Sequence, residues 1–282
     1  FTIKCTRYNG ETSSVAYERT VFFGGEVQVR ISHQSPAFTW DSVFVDITAH
    51  ITDANGIMEL QLLVDALKRS FYEKIKLMRL TLPYLPYARQ DRVCDPGEAL
   101  AVRVFANMLN ALKFDRVTLW DCHSNVGTAV IDNCVDVPNF VFLQKVISKE
   151  SLVNSKIILV APDAGAEKKV AAAAKFLNLD MLTATKHRDT HTNEITNTTV
   201  SSMEHVGDKD FLITDDICDG GRTFIALAKV LRPLTNGKVY LYVTHGLFSY
   251  GLDVLDGYID HIFVAQPFPN VVLDHRITKV GY

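Results

Sequence analysis

Paired cysteines, a basic excess, long apolar runs and low-complexity linkers are all missing from this sequence, and each absence excludes something. The five cysteines, Cys5, Cys94, Cys122, Cys134 and Cys218, are odd in number and form no C-x-x-C pair. That argues against a disulfide framework or a structural zinc site and predicts a cytoplasmic, reducing location. Lys plus Arg is 29 and Asp plus Glu is 32, a net charge of −3, the wrong sign for a general nucleic-acid binder. No apolar stretch approaches the ~18 residues that span a bilayer, so no membrane partner is expected. Phe1–Gly10 has no apolar core behind its basic residues, which argues against a secretory leader. No Pro/Gly-rich or highly charged linker interrupts the chain, so any domain boundary is a short connection.

What is present fits a globular α/β chain. The 282 residues correspond to about two domains, and 48% hydrophobic against 22% charged residues supplies a core. The recurring unit is a short apolar run, a polar loop and an amphipathic helix. Ile75–Leu82, Val117–Trp120, Ile157–Val160, Phe211–Ile213, Val239–Val243 and Ile262–Val264 read as strands. Helices are expected at Gly56–Phe71, Gly97–Leu112, Ala166–Leu177 and Gly221–Leu231. Leu60, Leu63, Val64, Leu67 and Phe71 fall on one face of the first, and Leu100, Val104, Phe105, Met108 and Leu112 on one stripe of the second, and both are expected to pack inward. Alternating strands and helices predict mostly parallel sheets flanked by helices. A fresh strand follows Val146–Glu150, which divides the chain into residues 1–148 and 149–282, two halves of similar element order.

In such sheets ligands bind beyond the carboxyl ends of the strands, so the residues at those ends carry the functional reading. The segment Thr214-Asp215-Asp216-Ile217-Cys218-Asp219-Gly220-Gly221-Arg222-Thr223 is the richest. Two carboxylates close a strand, and glycines then let the backbone turn N–H groups toward one cavity. A helix N-terminus adds partial positive charge and favours phosphate. Thr223 offers a hydroxyl donor, while Asp215 and Asp216 suit sugar hydroxyls. The set reads as a sugar-phosphate site, or as an ordinary helix cap after a tight turn. His123 and Asp163 suit a hard divalent cation, although for His123 taken alone a structural histidine is the favoured reading. His187 and His191 have metal-ligand spacing only on a helix. The polar run Lys186–Thr199 is either a lid or a solvated hairpin.

These residues, with Pro86-Tyr87-Ala88-Arg89-Gln90-Asp91-Arg92, Pro96-Gly97-Glu98, Met58-Glu59-Leu60, Asp121-Cys122-His123-Ser124, Pro162-Asp163-Ala164-Gly165 and Thr244-His245-Gly246-Leu247-Phe248, occur in one order along the chain. In that order the sequence resembles the ribose-phosphate diphosphokinases, also called phosphoribosyl diphosphate (PRPP) synthetases. The resemblance implies two phosphoribosyltransferase-like domains and a homo-oligomer. It implies transfer of the β,γ-diphosphoryl group of Mg-ATP to the anomeric hydroxyl of ribose 5-phosphate, for nucleotide and NAD biosynthesis. It assigns Phe22, Glu26, Arg89, Gln90, Asp91 and His123 to ATP, and His123 and Asp163 to Mg2+. It assigns Asp215, Asp216, Asp219, Gly220, Gly221, Arg222 and Thr223 to ribose 5-phosphate. Lys186, Arg188 and His123 become the catalytic residues. A catalytically silent associated subunit and a PRPP-consuming phosphoribosyltransferase are the alternatives.

Three departures from the family pattern stand out. Gly24 replaces a frequent acid in Phe22-Phe23-Gly24-Gly25-Glu26. In the sugar-phosphate loop, Gly220 stands where threonine is usual and Arg222 where a small residue is usual. One hydroxyl donor is lost and one cation gained. The stretch after Ile262 matches the family poorly, so a family-type regulatory site is expected to be incomplete.

Overall fold

The computed structural model describes residues 1–148, 152, 156–188, 195–202 and 204–281, with the side chains of 186–188 and 195–198 outside the description. The chain forms two compact units, Phe1–Val137 and Pro138–Tyr282. The first contains β1 (Thr2–Thr6), β2 (Thr12–Ser14), β3 (Tyr17–Val21), β4 (Val27–Ile31), β5 (Val43–Thr48), α1 (Ala54–Phe71), β6 (Ile75–Leu82), α2 (Ala101–Asn110), β7 (Arg116–Trp120), α3 (Asn125–Val130) and β8 (Cys134–Val137). The second contains α4 (Phe140–Ile147), β9 (Ile157–Ala161), α5 (Ala164–Leu177), β10 (Asp180–Arg188), β11 (Ile195–Val200), β12 (Asp210–Cys218), α6 (Arg222–Leu231), β13 (Val239–Gly246), β14 (His261–Pro267) and β15 (Ile277–Lys279).

The first unit's six-stranded sheet has the order β2-β1-β5-β6-β7-β8. From β5 onward the pairing is parallel, and β1 runs antiparallel to both its neighbours. β3 and β4 form a separate hairpin. The second sheet has the order β11-β10-β9-β12-β13-β14-β15 and is parallel except for the β10–β11 hairpin. The chain leaves β9 for one side of it, at β10, and returns on the other, at β12. At such a reversal, here the carboxyl ends of β9 and β12, α/β sheets bind ligands.

Local sequence explains these elements. Every residue of β9 and of β13 is buried, as expected of strands covered on both faces. α1 starts at Asp53, whose carboxylate accepts the Gly56 N–H at 2.7 Å. It buries Leu60, Leu63, Val64, Leu67 and Phe71, each worth about 1.5–3 kcal/mol of transfer free energy. In the second unit, Phe224, Leu227 and Leu231 of α6 join Ile158, Ile213, Leu241 and Val243 in one core.

Two expectations are corrected. α2 begins at Ala101 and buries Val102, Phe105, Ala106 and Leu109. Val104 and Met108 are 56% and 41% exposed. Apolar residues occupy two neighbouring arcs of this helix, and the arc with small residues, Val102 and Ala106, packs inward. β12 does not end at Ile213 but runs to Cys218, held by parallel pairing with β13 through Cys218 and Gly246. Asp215 and Asp216 therefore lie within the strand. The helix that a His187–His191 metal pair would need is not what His187 occupies, since it lies on β10; His191 is outside the described residues. The described strands β10 and β11 pair antiparallel, with Lys186 opposite Thr198 and Arg188 opposite Ile195.

Candidate functional site

The carboxyl ends of β9 and β12 gather the second unit's candidate residues. Asp163 follows β9 after Pro162 and caps α5, accepting the Ala166 N–H at 3.1 Å. Asp215 accepts the backbone N–H of Asp216 at 2.9 Å. Burial pushes the Asp215 carboxyl well above the ordinary carboxylate range, and the negative charges of Asp216 and Asp163 push it further. Asp163 thus acts on Asp215 electrostatically, and the pocket disfavours further negative charge unless a cation or hydroxyl donors enter it.

From Cys218 the chain passes through Asp219 and Gly220 to Gly221, which has φ of +76° and caps α6. A side chain at 221 would be strained, and its Cβ would lie 3.1 Å from Leu255 Cδ2. Arg222 and Thr223 open the helix, with Arg222 exposed. The loop after β13 braces this turn. The Leu247 and Phe248 N–H groups both donate to the Cys218 carbonyl, at 2.8 and 3.1 Å. Ser249 Oγ donates to Asp219 Oδ1 at 2.6 Å. The Thr244–Phe248 block is visible in the sequence, but the part that Ser249 and Tyr250 play beside the turn is not, because no spacing rule joins residues some 30 positions apart.

In the first unit, Arg89, Gln90 and Asp91 follow β6 and His123 follows the neighbouring strand β7. The β6 loop is pinned by buried Leu85 and Ala88 and by Ala88 N–H to Leu85 O and Gln90 N–H to Tyr87 O bonds of 3.2 and 2.9 Å. Arg89 and Gln90 are exposed, and Asp91 is half-buried. His123 is exposed beyond the buried Asp121–Cys122 pair, where the Cys122 N–H donates to Asp136 at 3.0 Å. Phe22 and Glu26 bracket the turn of the β3–β4 hairpin, joined by a 2.9 Å bond from the Phe22 N–H to the Glu26 carbonyl. The hairpin is tied to α1 by Arg19, whose Nε lies 2.7 Å from buried Glu59, and by Tyr17, which donates to the same carboxylate.

His123 and Asp163 belong to different units. Among the described residues, no three His, Cys, Asp or Glu side chains are grouped to hold a metal ion. Lys186 and Arg188 are placed by their backbone on β10, and their side chains lie outside the description. Among the described residues no helix is long and apolar enough to cross a membrane.

Comparison with known proteins gives a consistent result. Residues 7–112 match the N-terminal domain of ribose phosphate pyrophosphokinase. The chain is 32% identical over 240 residues to the ribose-phosphate pyrophosphokinase of Mycoplasma pneumoniae, covering 82% of this chain and 70% of that protein. It is 31% identical over 252 residues to the Pyrococcus furiosus ribose-phosphate pyrophosphokinase, covering 89% and 85%. The fold superposes on a crystal structure of phosphoribosylpyrophosphate synthetase from Mycobacterium smegmatis with a TM-score of 0.76 at 22% identity, covering 95% of this chain and 86% of that one. The chain belongs to the ribose-phosphate pyrophosphokinase family of diphosphotransferase enzymes.

Proposed function

We propose that the chain transfers the β,γ-diphosphoryl group of ATP to the anomeric hydroxyl of ribose 5-phosphate, yielding PRPP and AMP for nucleotide and NAD biosynthesis. The observation that carries this reading is the run from Asp215 to Thr223. It combines the half-buried Asp215 and the buried Asp216 for sugar hydroxyls with a left-handed glycine and a helix N-terminus for the 5-phosphate. Arg222, exposed at the first position of α6, supplies a cation where the loop has lost a hydroxyl. In the reaction the anomeric oxygen attacks the β-phosphorus, the bond to the α-phosphate oxygen breaks, AMP leaves, and the anomeric proton is lost.

Phe22, Glu26, Arg89, Gln90 and Asp91 are the proposed ATP residues. Arg89 offers a planar fork to phosphate oxygens. Lys186 and Arg188 supply positive charge to the transferring group, whose nonbridging oxygens carry charge in the transition state. Asp163 and His123 are the proposed protein contacts for Mg2+. The mutual repulsion of Asp163, Asp215 and Asp216 fits a hard cation, whose remaining positions would be filled by water and phosphate oxygens. When bound, that ion neutralises phosphate charge. A cytoplasmic homo-oligomer acting on small molecules, with neither nucleic acid nor membrane as partner, completes the proposal.

The test is direct. Purified protein with Mg-ATP and ribose 5-phosphate should form AMP and PRPP in equal amounts, and omission of Mg2+ should abolish both. Release of ADP instead of AMP, or no product at all, would overturn the assignment.

A further inference from the structure

Gly220 and Gly221 are adjacent, but different forces keep them as glycine. Gly221 has a left-handed backbone that strains any side chain. Gly220 is absent from the residues of positive φ, so its backbone does not demand glycine. What crowds a side chain there is Tyr250. A Cβ on Gly220 would lie 3.0 Å from Cε2 and 3.1 Å from Cδ2 of the Tyr250 ring. The ring fills the volume that a side chain at 220 would need.

Tyr250 is held there by its neighbours. Phe248 is buried, and its N–H donates to the Cys218 carbonyl. Ser249 Oγ bonds Asp219 at 2.6 Å. Gly251, with φ of +75°, returns its N–H to the Phe248 carbonyl at 2.8 Å. These contacts fasten the residues on both sides of Tyr250, while Tyr250 as a whole stays 63% exposed. A large aromatic ring held on the turn, with most of its surface open, has no core to fill. The ring stands against Gly220, the residue before the N-cap of α6, and a helix N-terminus favours an anion.

We infer that Tyr250 is a specificity-determining residue of the ribose 5-phosphate site, forming its wall as a matched pair with Gly220. The inference rests on the sugar-phosphate reading of Asp215–Thr223. The ring replaces the side chain missing from position 220, narrows the subsite to a pentose 5-phosphate, and excludes water from the turn.

Calorimetric titration with ribose 5-phosphate tests this on wild type, Tyr250→Ala, Gly220→Ala and the double variant, with a nonhydrolysable ATP analogue titrated in parallel. Tyr250→Ala should weaken ribose 5-phosphate binding about five- to tenfold, as for loss of about 1–1.4 kcal/mol, and leave the ATP analogue within twofold. Gly220→Ala should also weaken it, though less, because the new methyl pushes the ring a few tenths of an ångström from its place. The double variant should bind no more weakly than Tyr250→Ala alone, since with the ring gone the methyl has room. Multiplicative losses in the double variant, or wild-type binding by Tyr250→Ala, would overturn the pairing while leaving the proposed function intact. Failure of wild type itself to bind ribose 5-phosphate would sink the underlying reading instead. Thermal midpoints of all four proteins identify any variant whose weak binding reflects unfolding.

Discussion

Asp215 sits where function and stability pull in opposite directions. Its carboxyl is pushed up by burial and by the charges of Asp216 and Asp163, so the folded chain holds a proton more tightly there than the unfolded chain does. Stability from this group is therefore greatest below the ordinary carboxylate range and falls as pH rises from there toward the raised folded value. Asp215→Asn removes the charge without changing the shape. It should raise Tm at pH 7 and give no such gain at pH 3. The same change replaces a charged acceptor by a neutral one. Losing a charged hydrogen bond costs about 1.5–3 kcal/mol, so the KM for ribose 5-phosphate should rise by about tenfold or more. Thermal melts at the two pH values and initial-rate kinetics check both halves. A loss of Tm at pH 7 would show that Asp215 is instead a structural acceptor.

At the scale of elements, α3 is a short helix whose packing opposes its propensity. Gly127 lies within it and is buried. Replacing a mid-helix glycine by alanine ordinarily stabilises by about 1 kcal/mol. Here the Cβ would stand 2.6 Å from Cys122 Sγ and 2.8 Å from Leu85 Cδ2. Such overpacking costs about 1–3 kcal/mol, so Gly127→Ala should destabilise on balance. Because Cys122 precedes His123 and Leu85 precedes Arg89, the variant should also raise the KM for ATP. Urea midpoints decide the sign, and a stabilised variant would show that α3 does not pack on these loops. The comparison of sequence and structure is clearest at this scale. Strands such as Ile75–Leu82 and the α1 stripe are legible because strand and helix periods leave one residue set to bury. In α2 two apolar arcs compete, and only tertiary packing chooses between them. The Asp215–Thr223 run is legible because its chemistry is contiguous. The braces from Ser249, Tyr250 and Leu255 are not, because they arise from the pairing of β12 with β13 and the return of the following loop.

Across the whole molecule, Arg276 ties the last strand to the candidate site. Its guanidinium reaches Asp274 at 2.5 Å, Asp253 at 2.7 Å and Asp256 at 2.9 Å. Asp253 and Asp256 flank Val254 and Leu255, and both of these stand against the position a Gly221 side chain would take. One cation therefore fixes the approach to β15 and the turn behind the α6 N-terminus together. Hydrogen bonds from Arg276 hold the Asp274 carboxyl down at about 2. A depressed carboxylate stabilises the fold fully above its ordinary range near 4 and loses that contribution as pH falls through about 2. Arg276→Ala should consequently lower Tm at pH 6, and the gap from wild type should close as pH is taken from 4 down to 2. Asp253 and Asp256 are largely exposed, so salt screens part of the effect, and the gap at pH 6 should also narrow in 1 M salt (Debye length about 3 Å). Because the braced turn backs Gly221, the variant should raise the KM for ribose 5-phosphate and leave that for ATP unchanged. A Tm gap that stays constant from pH 6 to pH 2 would show that Arg276 acts through its aliphatic packing and not through its three carboxylates.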